Sequence, residues 1–181
     1  MKGEAPPLER LYDLGDLSQA GAHIAVALAG DELAALARWV GVEALENFKA
    51  EIELRKLSPT RYSYEAELTA DVVQSCVVTL DPVRSHIERH LSRQLVLSPS
   101  AYRRGQKGDD WPIAPAEDDA PEEIASLRYD LAAPLLEELV LAIDPYPRAA
   151  GVAFAPPPGA DLTSELPESP FAVLKRLKNQ P

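Results

Sequence analysis

The single cysteine is the side chain best suited to nucleophilic or redox chemistry. Cys76 stands among the apolar residues Val77, Val78 and Leu80. A reactive cysteine needs a nearby base or positive dipole to lower its thiol pKa, whereas a cysteine among apolar residues is typical of a structural core position. We therefore predict a buried, structural Cys76. With one cysteine the chain can form neither an internal disulfide nor a cysteine-rich zinc site.

Two of the three histidines have a spacing that could suit a metal. His86 and His90 are four residues apart, which places them on the same side of either a helix or a strand. A metal site would need a third and a fourth ligand, and the sequence offers no obvious set. We predict solvated histidines, with no metal and no other cofactor. Glycine-rich phosphate loops and a plausible Ser-His-Asp arrangement are also lacking, so no enzymatic activity is predicted.

One basic stretch stands out in a chain whose net charge is −11. From Arg84 to Lys107 there are six bases against a single acid, Glu88. These bases could contact RNA phosphates while a tyrosine stacks on a nucleobase. The alternatives are a solvated outer strand, or a patch that the acidic residues following it neutralise. The RNA-binding candidates are Arg84, Arg89, Arg93, Tyr102, Arg103, Arg104 and Lys107.

Acidic residues dominate the rest of the chain. An acidic protein repels nucleic-acid phosphates at long range and is better suited to a basic protein partner, although surplus acid that merely aids solubility is the simpler reading. Many of the acids fall in residues 99–125 together with prolines and few apolar residues. This composition predicts a mobile acidic insertion loop.

Alternating apolar and polar residues indicate an antiparallel sheet. Residues 23–28 and 52–54 have the pattern of half-buried strands, and residues 8–17 that of an edge strand or extended lead-in. The alternation from Tyr62 to Leu80 includes Cys76 and is too long for one flat strand. It therefore predicts a bend near Gln74 and Ser75.

The element that follows is ambiguous from its pattern. Apolar spacings of four over residues 83–97 fit a helix or a strand, and the turn at Asp81 and Pro82 favours a hairpin. Together these segments predict about four strands.

Helices are predicted on one face of this sheet. Asp31 can cap a helix that ends at Gly41, with a further helical turn over residues 42–47. Asp130 can cap a second helix, in which Pro134 is tolerated only within the first turn, and which stops at Asp144.

The C-terminal residues 149–181 combine a proline-rich linker with a short predicted helix at 169–178. Phe171, Leu174 and Leu177 recur at intervals of three and line one side of it. Such a segment is shorter than the roughly 12–15 residues at which an isolated helix becomes marginal in water. We therefore expect order only when it docks, on its own domain or in a partner groove, through these three candidates.

Residues 72–83 (VVQSCVVTLDPV) and 129–148 (YDLAAPLLEELVLAIDPYPR) resemble the YceD-like family of bacterial large-subunit ribosomal RNA accumulation proteins. The acidic loop and residues 169–174 are also similar to the family. Many members look to have further cysteines near the first segment and after the second. Here Arg148, Ala149 and Ala150 stand where some members would have a cysteine or histidine.

The resemblance implies a cytoplasmic, non-enzymatic ribosome-biogenesis factor that supports accumulation or processing of large-subunit ribosomal RNA. Its implied partner is ribosomal RNA or a large-subunit ribosomal protein; the alternative is an acidic adaptor for a basic protein with no ribosomal role. The expected organisation is one α+β domain over residues 1–148 and a flexible extension over 149–181. No membrane contact is expected, because the longest charge-free stretch, residues 17–30, is shorter than the roughly 20 residues that span a bilayer.

Overall fold

A computed structural model describes residues 5–98 and 121–153 of the chain, and β-strands form the larger part of their regular structure. The strands are β1 (Leu11–Asp13), β2 (Ala22–Ala27), β3 (Ala44–Ser58), β4 (Arg61–Ser75), β5 (Pro82–Leu97), β6 (Glu122–Ile124) and β7 (Arg128–Asp130). The helices are α1 (Asp31–Val40) and α2 (Ala132–Ala142). A single 3-10 turn, Leu14–Asp16, follows β1.

Five of these strands form the main sheet, in the order β2-β3-β4-β5-β6. Strands β2 to β5 are antiparallel neighbours in chain order, and β6 pairs in parallel with the end of β5. Strands β1 and β7 form a separate antiparallel pair. The predicted α+β class is confirmed, and β6 extends the sheet beyond the four strands expected.

Alternate residues of β4 point into a core shared with both helices. Tyr62, Tyr64, Ala66, Leu68, Ala70 and Val72 are each no more than 2% exposed. Burying a large apolar side chain contributes roughly 1.5–3 kcal/mol, so this side of the sheet supplies much of the stability of the fold. We call it the inner face and the opposite side the outer face.

The long apolar alternation stops at the end of β4 and does not continue through a bend. Beyond Ser75 the chain makes a turn in which the Cys76 N–H donates to the Asp81 carbonyl at 2.8 Å, and the Leu80 N–H donates to the Cys76 carbonyl at 2.9 Å. Val78 and Leu80, which the pattern placed on the buried side, are 36% and 76% exposed. That prediction is wrong because these residues no longer share the pleat of the sheet.

The ambiguous element is strand β5, which forms a hairpin with β4 as the turn had favoured. Ile87, Leu91 and Leu95 are buried on its inner face. Because a strand has a period of two, Arg89 and Arg93 lie on that same inner face. The spacing of four arises because charged and apolar residues alternate along one side of the strand.

Helix α1 begins and ends at glycines. Gly30 is its N-terminal cap and makes no side-chain hydrogen bond, so the predicted capping by Asp31 is wrong. Asp31 is instead the first helical residue, where a carboxylate favours the helix dipole. Gly41 ends the helix as predicted, in a left-handed conformation with φ 79°. Such a conformation favours glycine because a side chain would clash.

Helix α2 begins close to the predicted position, but its N-terminal cap is Leu131 and not Asp130 as expected. The Asp130 carboxylate accepts the Ala132 N–H at 3.0 Å, and Pro134 lies in the first turn, where its missing N–H has no cost. Leu135 and Leu139 are fully buried against the sheet.

Three further expectations are corrected by the strands. The helical turn expected over residues 42–47 is mostly sheet, because β3 begins at Ala44. The expected edge strand over residues 8–17 is reduced to β1, which pairs with β7 and not with the main sheet. Strand β6 begins at Glu122, before the expected end of the acidic loop at residue 125. Residues 99–120 and 154–181, with most of that loop and the C-terminal segment, lie outside the described residues.

Neither helix of the described ranges is long and apolar enough to cross a membrane.

Candidate functional site

Two of the RNA-binding candidates on β5 contact carboxylates at the surface. Arg84 lies on the outer face, and its guanidinium is 3.0 Å from the Glu46 carboxylate. Arg89 lies on the inner face at the margin of α2, with its Nε 3.4 Å from Glu138. An RNA phosphate would have to compete with these carboxylates for the same donors.

Arg93 is held between two elements. Its guanidinium is 2.7 Å from Glu137 on α2 and 3.4 Å from Glu122 on β6. Glu122 also accepts the Tyr129 hydroxyl at 3.1 Å. Burial acts against the charge of Arg93, but the hydrogen bond and charge of Glu137, followed by Tyr129 and Glu122, outweigh it and raise its pKa. Arg93 therefore joins β5, β6 and α2 into one unit.

Two tyrosines continue this unit into the core. The rings of Tyr64 and Tyr129 meet edge to face with centroids 6.2 Å apart, and the Tyr64 hydroxyl donates to the Leu131 carbonyl at 3.0 Å. Burial raises the pKa of both phenols, and the charge of Glu122 adds to the effect on Tyr129. Arg93 is therefore partly buried and paired within the fold, and its guanidinium is not free at the surface to bind a phosphate.

The other RNA-binding candidates, Tyr102, Arg103, Arg104 and Lys107, and the docking candidates, Phe171, Leu174 and Leu177, lie outside the described residues.

The two histidines of β5 lie on the outer face but do not converge. Four residues along a strand span about 13 Å, which is too far for one metal ion. His86 has its own partners, with Nδ1 2.5 Å from Asp71 and Nε2 3.2 Å from Glu88. Asp71 first, and then Glu88, raise the pKa of His86. Over the described ranges, no group of three or more His, Cys, Asp or Glu side chains is arranged to hold a metal ion.

Four glutamates meet at the middle of the outer face. In the register of β3 and β4, Glu51 lies directly opposite Glu67, and Glu53 directly opposite Glu65. We call these four residues the glutamate quartet. Like charges directly opposite across antiparallel strands are destabilising, so this arrangement works against the stability of the sheet.

The quartet lines a shallow concavity of about 230 Å³, with His23 on β2 and His90 on β5 at its two sides. His23 lies 3.5 Å from Glu51. Arg55 lies 2.6 Å from Glu53, whose hydrogen bond and charge raise the arginine pKa. The described side chains that line the concavity include four carboxylates and no lysine or arginine.

A second feature lies at the far end of the sheet, where the two segments that resemble the YceD-like family meet. The Val77 N–H donates to the Pro147 carbonyl at 2.9 Å. The Gln74 side-chain amide donates to the Asp144 carbonyl, also at 2.9 Å. The Ala149 N–H points at the Cys76 sulfur at 3.4 Å. The β4–β5 turn is therefore fastened to the chain that follows α2.

Cys76 is buried, as predicted, but its sulfur is surrounded by donors. Thr79 lowers the thiol pKa most, through its side chain, followed by the backbone N–H groups of Ala149, Thr79 and Val78; together they bring it to about 6. The sulfur is fully buried at the centre of the junction. There it accepts hydrogen bonds from the backbone N–H groups of Thr79 at 3.5 Å and of Ala149 at 3.4 Å.

The glutamate quartet was missed from the sequence. The signal was partly present, because Glu51 and Glu67 are equidistant from Pro59 in the turn between β3 and β4, and so are Glu53 and Glu65. The register that pairs them also depends on an irregularity between Lys56 and Ser58, which the sequence does not indicate. In a hairpin, positions equidistant from the turn face each other. The ion pairs of Arg89 and Arg93 with α2 had no such signal, since α2 is far away in the chain. The pair of Arg93 with Glu122 agrees with the predicted alternative in which the acidic residues that follow neutralise the basic stretch.

A profile of the family described as "Large ribosomal RNA subunit accumulation protein YceD" matches residues 64–178. This match spans more than half of the 181 residues, and the chain belongs to that family. The match includes most of β4, all of β5 and α2, and the C-terminal segment, which agrees with the resemblance of residues 72–83 and 129–148. Searches of curated proteins and of solved structures found no match.

Proposed function

We propose that this protein supports accumulation of large-subunit ribosomal RNA by binding a basic large-subunit ribosomal protein at the glutamate quartet. The family supplies the ribosomal context. We choose a basic protein as the partner because Glu51 lies opposite Glu67, and Glu53 opposite Glu65, on neighbouring strands. The proposed role is non-enzymatic, and its proposed place is the cytoplasm.

A basic partner would convert the repulsion within the quartet into attraction. Glu53 is already paired with Arg55 and Glu51 lies near His23, so Glu65 and Glu67 are the carboxylates most open to a lysine or arginine side chain of a partner. The concavity on the outer face would bring several such contacts together, and the net charge of −11 would steer a basic protein toward it.

Direct RNA binding is less well supported by the same charges. Arg84, Arg89 and Arg93 are each already within 3.4 Å of a carboxylate, and the quartet would repel phosphates. RNA binding through Arg103, Arg104 and Lys107 is the competing explanation, and the experiment below distinguishes it from protein binding.

The test uses two full-length variants with the same net charge. Glu51→Gln with Glu67→Gln removes two charges from the quartet. Glu9→Gln with Asp16→Asn removes two exposed charges elsewhere. Affinity for purified large-subunit ribosomal proteins, tested one at a time, would be measured by calorimetry. Two lost contacts of roughly 0.5–1 kcal/mol each predict a roughly 5- to 30-fold weaker complex for the quartet variant alone.

Two results would overturn the proposal. One is equal affinity of the two variants for every ribosomal protein. The other is a salt-dependent gel shift of large-subunit ribosomal RNA that the quartet variant retains in full, combined with no ribosomal-protein complex. Sedimentation of cell extract provides the cellular readout, in which the native chain should co-migrate with large-subunit precursors and the quartet variant should not.

A further inference from the structure

Exposed apolar side chains are concentrated at the junction around Cys76. Six of the eight large hydrophobic side chains that are exposed in the described ranges lie there. Three belong to the turn after β4, and three to the last turn of α2 and the residues after it. They are Val77, Val78, Leu80, Val140, Leu141 and Tyr146, and we call them the apolar tip. The hydrogen bonds from Val77 to Pro147 and from Gln74 to Asp144 hold the two groups together.

An exposed apolar cluster of this kind marks a surface that another segment covers. Leu80 and Tyr146 are 76% and 70% exposed, and Leu141 is 79% exposed. Leu80 also has a left-handed backbone with φ 64°, a conformation uncommon for a leucine. The fold thus directs a large apolar side chain outward at the end of the hairpin.

We propose that the C-terminal segment of the same chain, through Phe171, Leu174 and Leu177, docks on the apolar tip. This inference goes beyond the proposed partner binding, because it concerns the other end of the sheet and needs no ribosomal component.

Chain length favours this occupant. The described chain ends at residue 153, shortly after Ala149, whose N–H points at Cys76 beneath the apolar tip. Residues 154–170 connect that point to Phe171. The 17 residues of this connection span at most roughly 60 Å when fully extended, so a segment attached this close to the tip can reach back to it.

The charges of the two surfaces and the residues matched by the family profile also favour the C-terminal segment as the occupant. Lys175, Arg176 and Lys178 accompany the apolar residues of the segment, and the exposed acids Asp81 and Asp144 border the apolar tip. The family match leaves out the first 63 residues but continues through residue 178. The family profile therefore includes both the C-terminal segment and the apolar tip on which we propose that it docks.

A double-mutant cycle on the full chain tests this docking. Leu80→Ser with Tyr146→Ser alters the tip, and Leu174→Ser alters the segment. Each change should lower the Tm by roughly 2–4 °C, as expected when one modest contact is lost in a chain of this length. Combined, they should lower it little further, because either change alone already releases the segment. Leu57→Ser, at an exposed site near the opposite end of the sheet, is the control and should add fully to Leu174→Ser.

Limited trypsin digestion provides a second readout that does not depend on unfolding. Cleavage after Lys175, Arg176 and Lys178 should be roughly tenfold faster in the tip variant than in the native chain, because docking of about 1.4 kcal/mol protects by that factor. Additive Tm changes or equal cleavage rates would overturn the proposal. A Tm coupling that grows with protein concentration, together with a dimer in sedimentation velocity, would also overturn it by assigning the tip to a second copy.

Discussion

Replacing Arg93 by methionine should destabilise the fold, and the contacts of this side chain set the size of the effect. The substitution keeps an unbranched apolar stem and removes the guanidinium that joins Glu137 on α2 to Glu122 on β6. Glu122 would keep only its hydrogen bond from the Tyr129 hydroxyl. The expected loss is therefore that of two ion pairs, while the backbone pairing of β6 with β5 remains.

The size of the expected loss in unfolding free energy follows from how far Arg93 and its two partners are buried. An exposed ion pair contributes roughly 0.2–1 kcal/mol, and a buried hydrogen bond to a charged group roughly 1.5–3 kcal/mol. The Arg93 side chain is 31% exposed, and its partners Glu122 and Glu137 are 39% and 60% exposed. After allowance for solvent screening, we expect Arg93→Met to lower the free energy of unfolding by about 1–2 kcal/mol.

Arg84→Met is the matched control on the same strand. The Arg84 side chain is 76% exposed and has the single carboxylate partner Glu46, so its loss should be about 0.5 kcal/mol or less. Urea unfolding followed by circular dichroism measures both. For a chain of this length the Arg93 variant should also melt about 2–8 °C lower.

Equal stabilities of the Arg93 and Arg84 variants would refute this reasoning, because burial would then have no influence. If Arg93→Met left stability unchanged but abolished a gel shift of ribosomal RNA, the arginine would bind RNA, as the basic stretch of the sequence had suggested.

Two further predictions concern pH. The folded pKa of His86 is raised above its ordinary value of 6.5, so its pairing with Asp71 stabilises the fold below that pH and is lost as the pH rises through the folded pKa. An NMR titration should show a higher midpoint for His86 than for the unfolded chain, and an equal midpoint would contradict the pairing. For Cys76 the folded pKa of about 6 lies below the ordinary 9.0, so the thiolate stabilises the fold fully above pH 9 and this stabilisation is lost as the pH falls through 6. Cys76→Ala should remove the corresponding rise in unfolding free energy between those pH values; a thiolate absorbance midpoint near 9 in the native protein would contradict it.

The sequence alone indicated strands β2 and β4 and the middle of β3, because alternation with a period of two is a local property of the chain. The buried parity of β4, the glycine that ends α1 and the position of Pro134 in α2 could all be predicted from neighbouring residues. The family could also be recognised from the sequence, because residues 72–83 and residues 129–148 are each an unbroken stretch of the chain. The errors came where alternation continued past the end of a strand, as at Val78 and Leu80.

Only the tertiary structure decided which charges face one another. The basic stretch looked like an RNA surface because two of its acidic partners, Glu137 and Glu138, are distant in the chain and reach β5 only when α2 packs. The contact of Cys76 with Ala149 likewise joins the turn after β4 to the chain after α2, and these are far apart in sequence. A local pattern reports which face a side chain occupies, but the charge opposite it depends on contacts between segments far apart in sequence.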